Sequence, residues 1–323
     1  DTKTKKLLHA DGCNHQSAIA PGIQDGQKHL AAMRQLLDNI PAELATQIGA
    51  VGVTGQMHGV ILWSRTQTSH LYTWQYQNSG LAAAQTVVPE LCHGYGMATL
   101  AELAADKQLD GYEFAGTIHD YAVWQLCGRP EQAVTDDSDA ASWGLFDLKT
   151  RAFDLDKVKA LGIPVRLLPK VLPAGSLAGY LDFPCALTGG IPVTVAAGDN
   201  QCSVLATARD AVEKEIYLTI GTGAQLSLVT DDFTDQISLR PYFGGKYLAV
   251  AAPLCGGAAW ALLQNNVKEL LAGCRLALPS DAALYDILDE LALQAMDDDD
   301  LPVVKPNFCG ERNHPEWQGA VEH

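Results

Sequence analysis

The stretch Ile191–Ala206, IPVTVAAGDNQCSVLA, runs apolar into Gly198-Asp199-Asn200-Gln201, and a second run, Ile216–Val229, IYLTIGTGAQLSLV, breaks at Gly221-Thr222-Gly223. A carboxylate at a strand end is well placed to take a proton. A glycine turn bare of side chains lets backbone N–H groups approach an anion such as phosphate. Together they point to phosphoryl transfer, a reaction that depends mainly on positioning and charge neutralisation. The same residues also fit a plain turn and a plain hairpin, so the rest of the chain must decide.

A length of 323 residues suits about two domains. Hydrophobic residues make up 47%, enough for a large core, and the net charge of −16 argues against nucleic acid or an anionic membrane as partner. The run Asp297–Asp300 reads as a solvated loop, since four consecutive aspartates cannot all converge on one ion. The eight cysteines (Cys13, Cys92, Cys127, Cys185, Cys202, Cys255, Cys274 and Cys309) form no CxxC and read as small core fillers in a reducing compartment. With no leader at Asp1 and no apolar stretch long enough to span a bilayer, the expected location is cytoplasmic.

Outward from the opening stretch, the pattern is α/β. Residues 26–44 carry Leu30, Met33, Leu36 and Leu37 on one helical stripe, with Pro41 near the end. Ile48–Val53 reads as a short buried strand running into Thr54-Gly55-Gln56-Met57-His58-Gly59, and Val60–Trp63 resumes as strand. Helices are expected at 98–105, 121–127, 258–272 and 282–295. Residues 135–143, rich in Asp and Ser, read as a loop entering an element. Pro164, Pro169, Pro173 and Gly175 mark a connection, which puts a domain boundary in the Gly175–Gly190 region, between 1–188 and 189–323.

At Gly52–Gly59, GVTGQMHG, the chain resembles the FGGY family of carbohydrate kinases, and further marks follow in that family's order. They are Ser69–Gln75 (SHLYTWQ), Gly116–Tyr121 (GTIHDY), Asp136–Asp147 (DDSDAASWGLFD), Gly198–Gln201, Gly221–Gly223, Gly256-Gly257 and Gly310–Arg312. Within the family, GTIHDY and AASWG beside GQMHG are most similar to the kinases of the seven-carbon ketose sedoheptulose. The resemblance implies two actin-like, RNase H-like α/β domains facing a cleft, the second incomplete. It implies a sugar-binding domain over 1–188 and a nucleotide-binding domain over 189–323. The chain departs from the family in lacking the opening strand and phosphate turn, and in stopping soon after Arg312, before the late adenosine-site region. Tyr76 and Asn78 stand where Asp and Arg are common after Trp-Gln.

The resemblance makes Asp199 the general base for a terminal sugar hydroxyl, with a possible water-mediated link to magnesium. It makes Gln56, Met57, His58, Trp74 and Asn200 sugar-facing residues. Gly221, Thr222 and Gly223 would line the phosphates of ATP, and Gly256 and Gly257 would open a helix toward them. Close helix–sheet packing is the alternative for that glycine pair. The cofactors implied are ATP and Mg2+, the partner a small sugar. His119-Asp120 could be read as a metal pair, but adjacent residues seldom ligate one ion, and Asp120 reads better as a helix cap. A non-catalytic sugar-binding or regulatory remnant, and a kinase of xylulose type, stay open as other readings.

Overall fold

The structure, a computed structural model, describes residues 1–208, 215–221, 223–252, 256–297, 301–308 and 318–322. It divides into two compact units: 1–208 with 240–248, and 209–239 with 249–323. The division therefore falls after Ala208, whereas the prolines and glycines of the sequence suggested 188/189. Strand pairing is the reason. Pro192–Thr194 pairs antiparallel with Leu177–Tyr180, Val193 bridges Val51 in parallel, and Ala197–Gly198 pairs in parallel with Thr54–Gly55. These ladders hold the segment after residue 188 in the first unit.

Two of the apolar cores meet at the strand Ile61–Trp63 and its neighbours. Ile61–Trp63 is a fully buried strand paired antiparallel with Phe114–Gly116. Trp63 packs against Tyr121 and Trp124 of the Ile118–Leu126 helix, with ring centroids 5.2 and 6.0 Å apart. Aromatic groupings of this kind contribute through area as well as ring geometry. Gly116 is required here, because a Cβ would lie 2.5 Å from the Trp63 ring. A second cluster joins Val60 and Leu62 to Met97 and Leu100 of the Gly96–Ala105 helix and to Trp143.

Local signals explain the helix starts. Asp25 caps Gly26–Asp38 by accepting from the Gln27 N–H. This helix is shorter than the stripe suggested; Asn39 caps its end, and a separate turn, Ala42–Ala45, follows Pro41. Thr117 and Asp120 form a reciprocal capping box on Ile118–Leu126. Asp136 caps a helix over Asp137–Ser142, where the sequence suggested a loop. Ile48–Val53 is not a buried strand: Gly49, Ala50 and Gly52 are exposed, and Val51 makes an isolated bridge.

The second unit holds the antiparallel hairpin Ile216–Ile220 with Ala224–Thr230, in register Ile220↔Ala224 around the glycine turn. Helices Gly257–Gly273 and Asp281–Ala295 are joined through Gln264 Nε2, which donates to the Asp281 carbonyl at 2.9 Å. Among the described residues, no helix is long and apolar enough to cross a membrane.

Candidate functional site

Gly55 and Gly198 are register partners at the end of the parallel pair Thr54–Gly55 and Ala197–Gly198. The next residues, Gln56 and Asp199, therefore leave the same carboxyl end, where ligands collect in α/β folds. Asp199 opens the helix Asp199–Thr207, and its Oδ1 accepts from the Asn200 N–H at 2.7 Å. Asp199 is exposed to solvent. The protein packed around it still raises its carboxyl above the ordinary range, against the pull of Asn200, His119 and Arg240. Met57 is buried with its sulfur against Gly198, where a Cβ would lie 2.6 Å away.

His58 has φ +72°, a left-handed conformation that costs a side-chain-bearing residue on the order of 1 kcal/mol. Two hydrogen bonds offset it: its N–H donates to Ser142 Oγ at 3.0 Å, and Nδ1 meets the Ser142 carbonyl at 2.7 Å. A carbonyl only accepts, so Nδ1 carries the proton in the neutral ring, and Nε2 is the acceptor. The ring stacks on Tyr95 with centroids 5.1 Å apart. Trp143 Nε1 donates to the Gly59 carbonyl at 3.1 Å, so the segment Ser142-Trp143 grips both His58 and Gly59. On the other side, Val60 and Tyr72 exchange backbone hydrogen bonds of 2.8 and 2.9 Å. The three marks GQMHGV, LYTW and ASWG, far apart in sequence, are thus one assembly.

Trp74 is 46% exposed, and its carbonyl packs on Gly94 so closely that a Cβ there would strike it. Asn78 fixes that contact. It is buried, Oδ1 accepts from the Gly94 N–H at 3.0 Å, and Nδ2 donates to Thr99 Oγ1 at 3.0 Å. Asn78 is thus engaged in holding the loop under Trp74, and Tyr76 donates to Glu102 Oε1 at 3.1 Å.

Beneath the strand ends lies a group that sequence reading did not assign to the site. His119 Nε2 and Asp139 Oδ2 are 2.6 Å apart, both side chains buried. Burial lowers His119 and raises Asp139 well above the usual carboxylate range, so both shifts disfavour the charged form of the pair. Burial, then the charge of Asp139, pushes Asp120 up to about 7 and Asp136 up to about 8. Asp137 pairs with Arg151. His119 and Asp120 do not act as a metal pair: His119 turns to Asp139, and Asp120 closes the capping box. Among the described residues, no three His, Cys, Asp or Glu side chains converge to hold a metal. A divalent ion held chiefly by nucleotide phosphates, the usual arrangement for Mg2+, fits the exposed carboxylate of Asp199.

In the second unit, the glycine turn and the glycine pair touch. The Gly257 N–H donates to the Gly221 carbonyl at 2.7 Å, and the Gly221 N–H to the Gly223 carbonyl at 2.8 Å. A Cβ at Gly257 would lie 2.8 Å from Gly221 O, and one at Gly256 would strike Gly223. Close packing, the alternative reading, therefore accounts for Gly256 and Gly257, and the N–H groups of Gly221 and Gly257 are engaged within the turn. Thr222 and the Gly310–Arg312 mark lie outside the described residues.

Solved sugar kinases share this architecture. Xylulose kinase from Rhodospirillum rubrum aligns with a TM-score of 0.78 at 19% identity, covering 94% of this chain and 65% of that one. Plasmodium falciparum glycerol kinase, solved with ADP, aligns with a TM-score of 0.72 at 18% identity, covering 98% and 68%. The fold is thus the α/β fold of the actin-like ATPase sugar kinases. In sequence, sedoheptulokinases from Mus musculus and Homo sapiens are each 31% identical over 92% of the chain, which spans 68% of their length. The N-terminal domain of the FGGY family of carbohydrate kinases matches residues 105–206. The chain belongs to the FGGY family of carbohydrate kinases.

Proposed function

We propose that the protein transfers the γ-phosphoryl group of ATP to a terminal hydroxyl of a ketose, with sedoheptulose the preferred acceptor. The observation that carries the reading is the parallel pair ending in Gly55 and Gly198, which delivers Gln56 and Asp199 from one strand end. Asp199 accepts the proton of the attacking hydroxyl as the new O–P bond forms and ADP leaves, help typically worth ~10²–10⁴-fold. Gln56 and the Nε2 acceptor of His58 orient sugar hydroxyls, Met57 gives the floor beside Gly198, and Trp74 offers an exposed ring to the sugar's C–H face. Asn200 stands beside the base as an amide for the sugar. Nucleotide binding is assigned to the second unit, where the turn Gly221-Thr222-Gly223 lets phosphate approach and Gly256 and Gly257 pack close against that turn. ATP would supply the phosphoryl group, and Asp199 would hold through water a Mg2+ ion that would neutralise phosphate charge.

Support for sedoheptulose comes from the relatives' names and from the joined GQMHG and ASWG segments. The test is kcat/KM for sedoheptulose, xylulose and glycerol, read as ADP release. The expected order is sedoheptulose, xylulose, glycerol. A strong preference for xylulose would reassign the acceptor, and no turnover with any of them would favour a non-catalytic sugar-binding role.

A further inference from the structure

We propose that the turn Ser138-Asp139, together with His119, is a two-point clamp that positions Asp199 and Gln56. The inference rests on the catalytic reading of Asp199. One grip is on the strand that leads to the base: Ser138 Oγ accepts from the Gly198 N–H at 3.3 Å and donates to the Asp136 carboxylate at 2.8 Å. The second grip is on the strand that leads to Gln56. Asp139 holds His119 by the 2.6 Å bond, and the ring lies directly under Gly55, where a Cβ would be 2.7 Å from Nδ1. No side chain fits at Gly55 while His119 holds this place. Gly55 and Gly198 are themselves register partners, so one helical turn grips both members of the pair at its last residues.

The clamp is built where polar groups are costly. His119 Nδ1, Asp120 Oδ1, Asp137 Oδ1 and Asp139 Oδ1 are buried with no hydrogen-bond partner among the described residues. Unpartnered buried polar atoms in a native fold call for a reason, and fixing two strand ends supplies one. The groups facing the His119–Asp139 bond are Asp120 on the helix of His119, Asp136 and Asp137 at the start of the helix of Asp139, and Asp199 across the strand pair. None of these touches the sugar in the proposed reaction except Asp199. His119, Ser138 and Asp139 are positioning residues.

The test uses the best acceptor of the three sugars at saturating ATP. His119→Ala, Asp139→Ala and Ser138→Ala are each expected to lower kcat by about 10²-fold, the scale set by a ~1 Å displacement of a reacting group, with a smaller change in KM. Asp139→Asn keeps a side-chain hydrogen bond to His119 and should recover at least about tenfold of what Asp139→Ala loses. Alanine variants with unchanged kcat, a loss confined to KM, or an Asp139→Asn as inactive as Asp139→Ala would overturn the clamp. Nitrogen-15 NMR of the His119 ring in the unmutated protein decides the matter if the alanine variants fail to fold. A locked ring keeps one protonation pattern from about pH 5.5 to about pH 8, whereas a ring titrating near the free value of about 6.5 would overturn the clamp. An unmutated protein that turns over none of the sugars refutes the catalytic reading instead, and the NMR result then stands for the clamp alone.

Discussion

Raising the pH through neutrality should destabilise the first unit. Burial raises Asp136 to about 8 and Asp120 to about 7, from an ordinary 3.8. In the unfolded chain both carboxyls are ionised above about pH 5. The native state thus binds more protons than the unfolded state between those limits. A raised carboxyl contributes stability that is fully present below the unfolded value and is lost as pH rises through the folded one. Near pH 7.5, Asp136 would retain about 0.76 of a proton and Asp120 about 0.24, which together contribute about −1.4 kcal/mol per pH unit, and the raised carboxyl of Asp139 acts in the same direction. Histidines oppose this at lower pH. His29, lowered to about 4 by burial, and His119, also lowered, favour the folded state as pH rises toward 6.5. Burial also raises Cys127 to about 11, which matters only at more alkaline pH. The clean window therefore runs from about pH 6.8 to about pH 8.2. Urea unfolding at intervals across it, followed by tryptophan fluorescence, reads the slope. Asp136→Asn should reduce it by about 1 kcal/mol per pH unit. Stability that is flat or rising across the window, or a slope unchanged in Asp136→Asn, would refute the reasoning.

Other outcomes follow from single contacts. Asp199→Asn should lower kcat by about 10²–10⁴-fold with sugar KM little changed, because an amide keeps shape but takes no proton; single-turnover kinetics retaining most of the rate would reject Asp199 as base. Trp143→Phe removes the 3.1 Å bond to the Gly59 carbonyl; it should cost about 1 kcal/mol in urea unfolding and raise sugar KM severalfold, and an unchanged KM would detach the ASWG segment from sugar binding. Gly256→Ala places a methyl against Gly223. It should weaken ATP binding in calorimetry, and wild-type affinity would remove that packing from the nucleotide site.

Much of the candidate site could be read from sequence because its marks are short runs at strand ends. Gln56, Met57 and His58 follow one strand and Asp199 the other, and the two strands are joined by the Gly55–Gly198 pair. Their support was not legible. Asp136–Asp139 is polar enough to pass for a solvated loop, yet all four side chains are buried. Burial of acids is decided by neighbours distant in sequence, here His119 and Gly198, and local composition carries no trace of them. One signal was present: the acid run opens directly into Ala140-Ala141-Ser142-Trp143, an apolar step that a free loop would not need. The strand expected at Ile48–Val53 failed for the opposite reason. Its residues are apolar, but the described contacts pair it on the side of Pro192–Ala197, and apolarity alone supplies no second neighbour.

The acid run also shows why an apolar helix could not replace Asp137–Ser142. Gly198 presents a buried N–H that needs an acceptor, and Ser138 Oγ is the acceptor it meets. An unmade bond to a buried N–H costs about 1–3 kcal/mol, and it would fall on the residue just before the base. His119 needs an oxygen at Nε2 to stay under Gly55, and Asp139 provides it. An apolar residue at either place would improve burial and free both strand ends. Retaining carboxyls there leaves charge repulsion, which is limited by burial that raises Asp136 to about 8 and Asp139 well above the usual range. Each proton kept on that cluster removes a negative charge from the surroundings of Asp199, whose own ionisation the proposed reaction requires. Asp136→Asn removes one raised carboxyl from the cluster while its amide can still accept from Ser138, and it should ease the alkaline loss of stability.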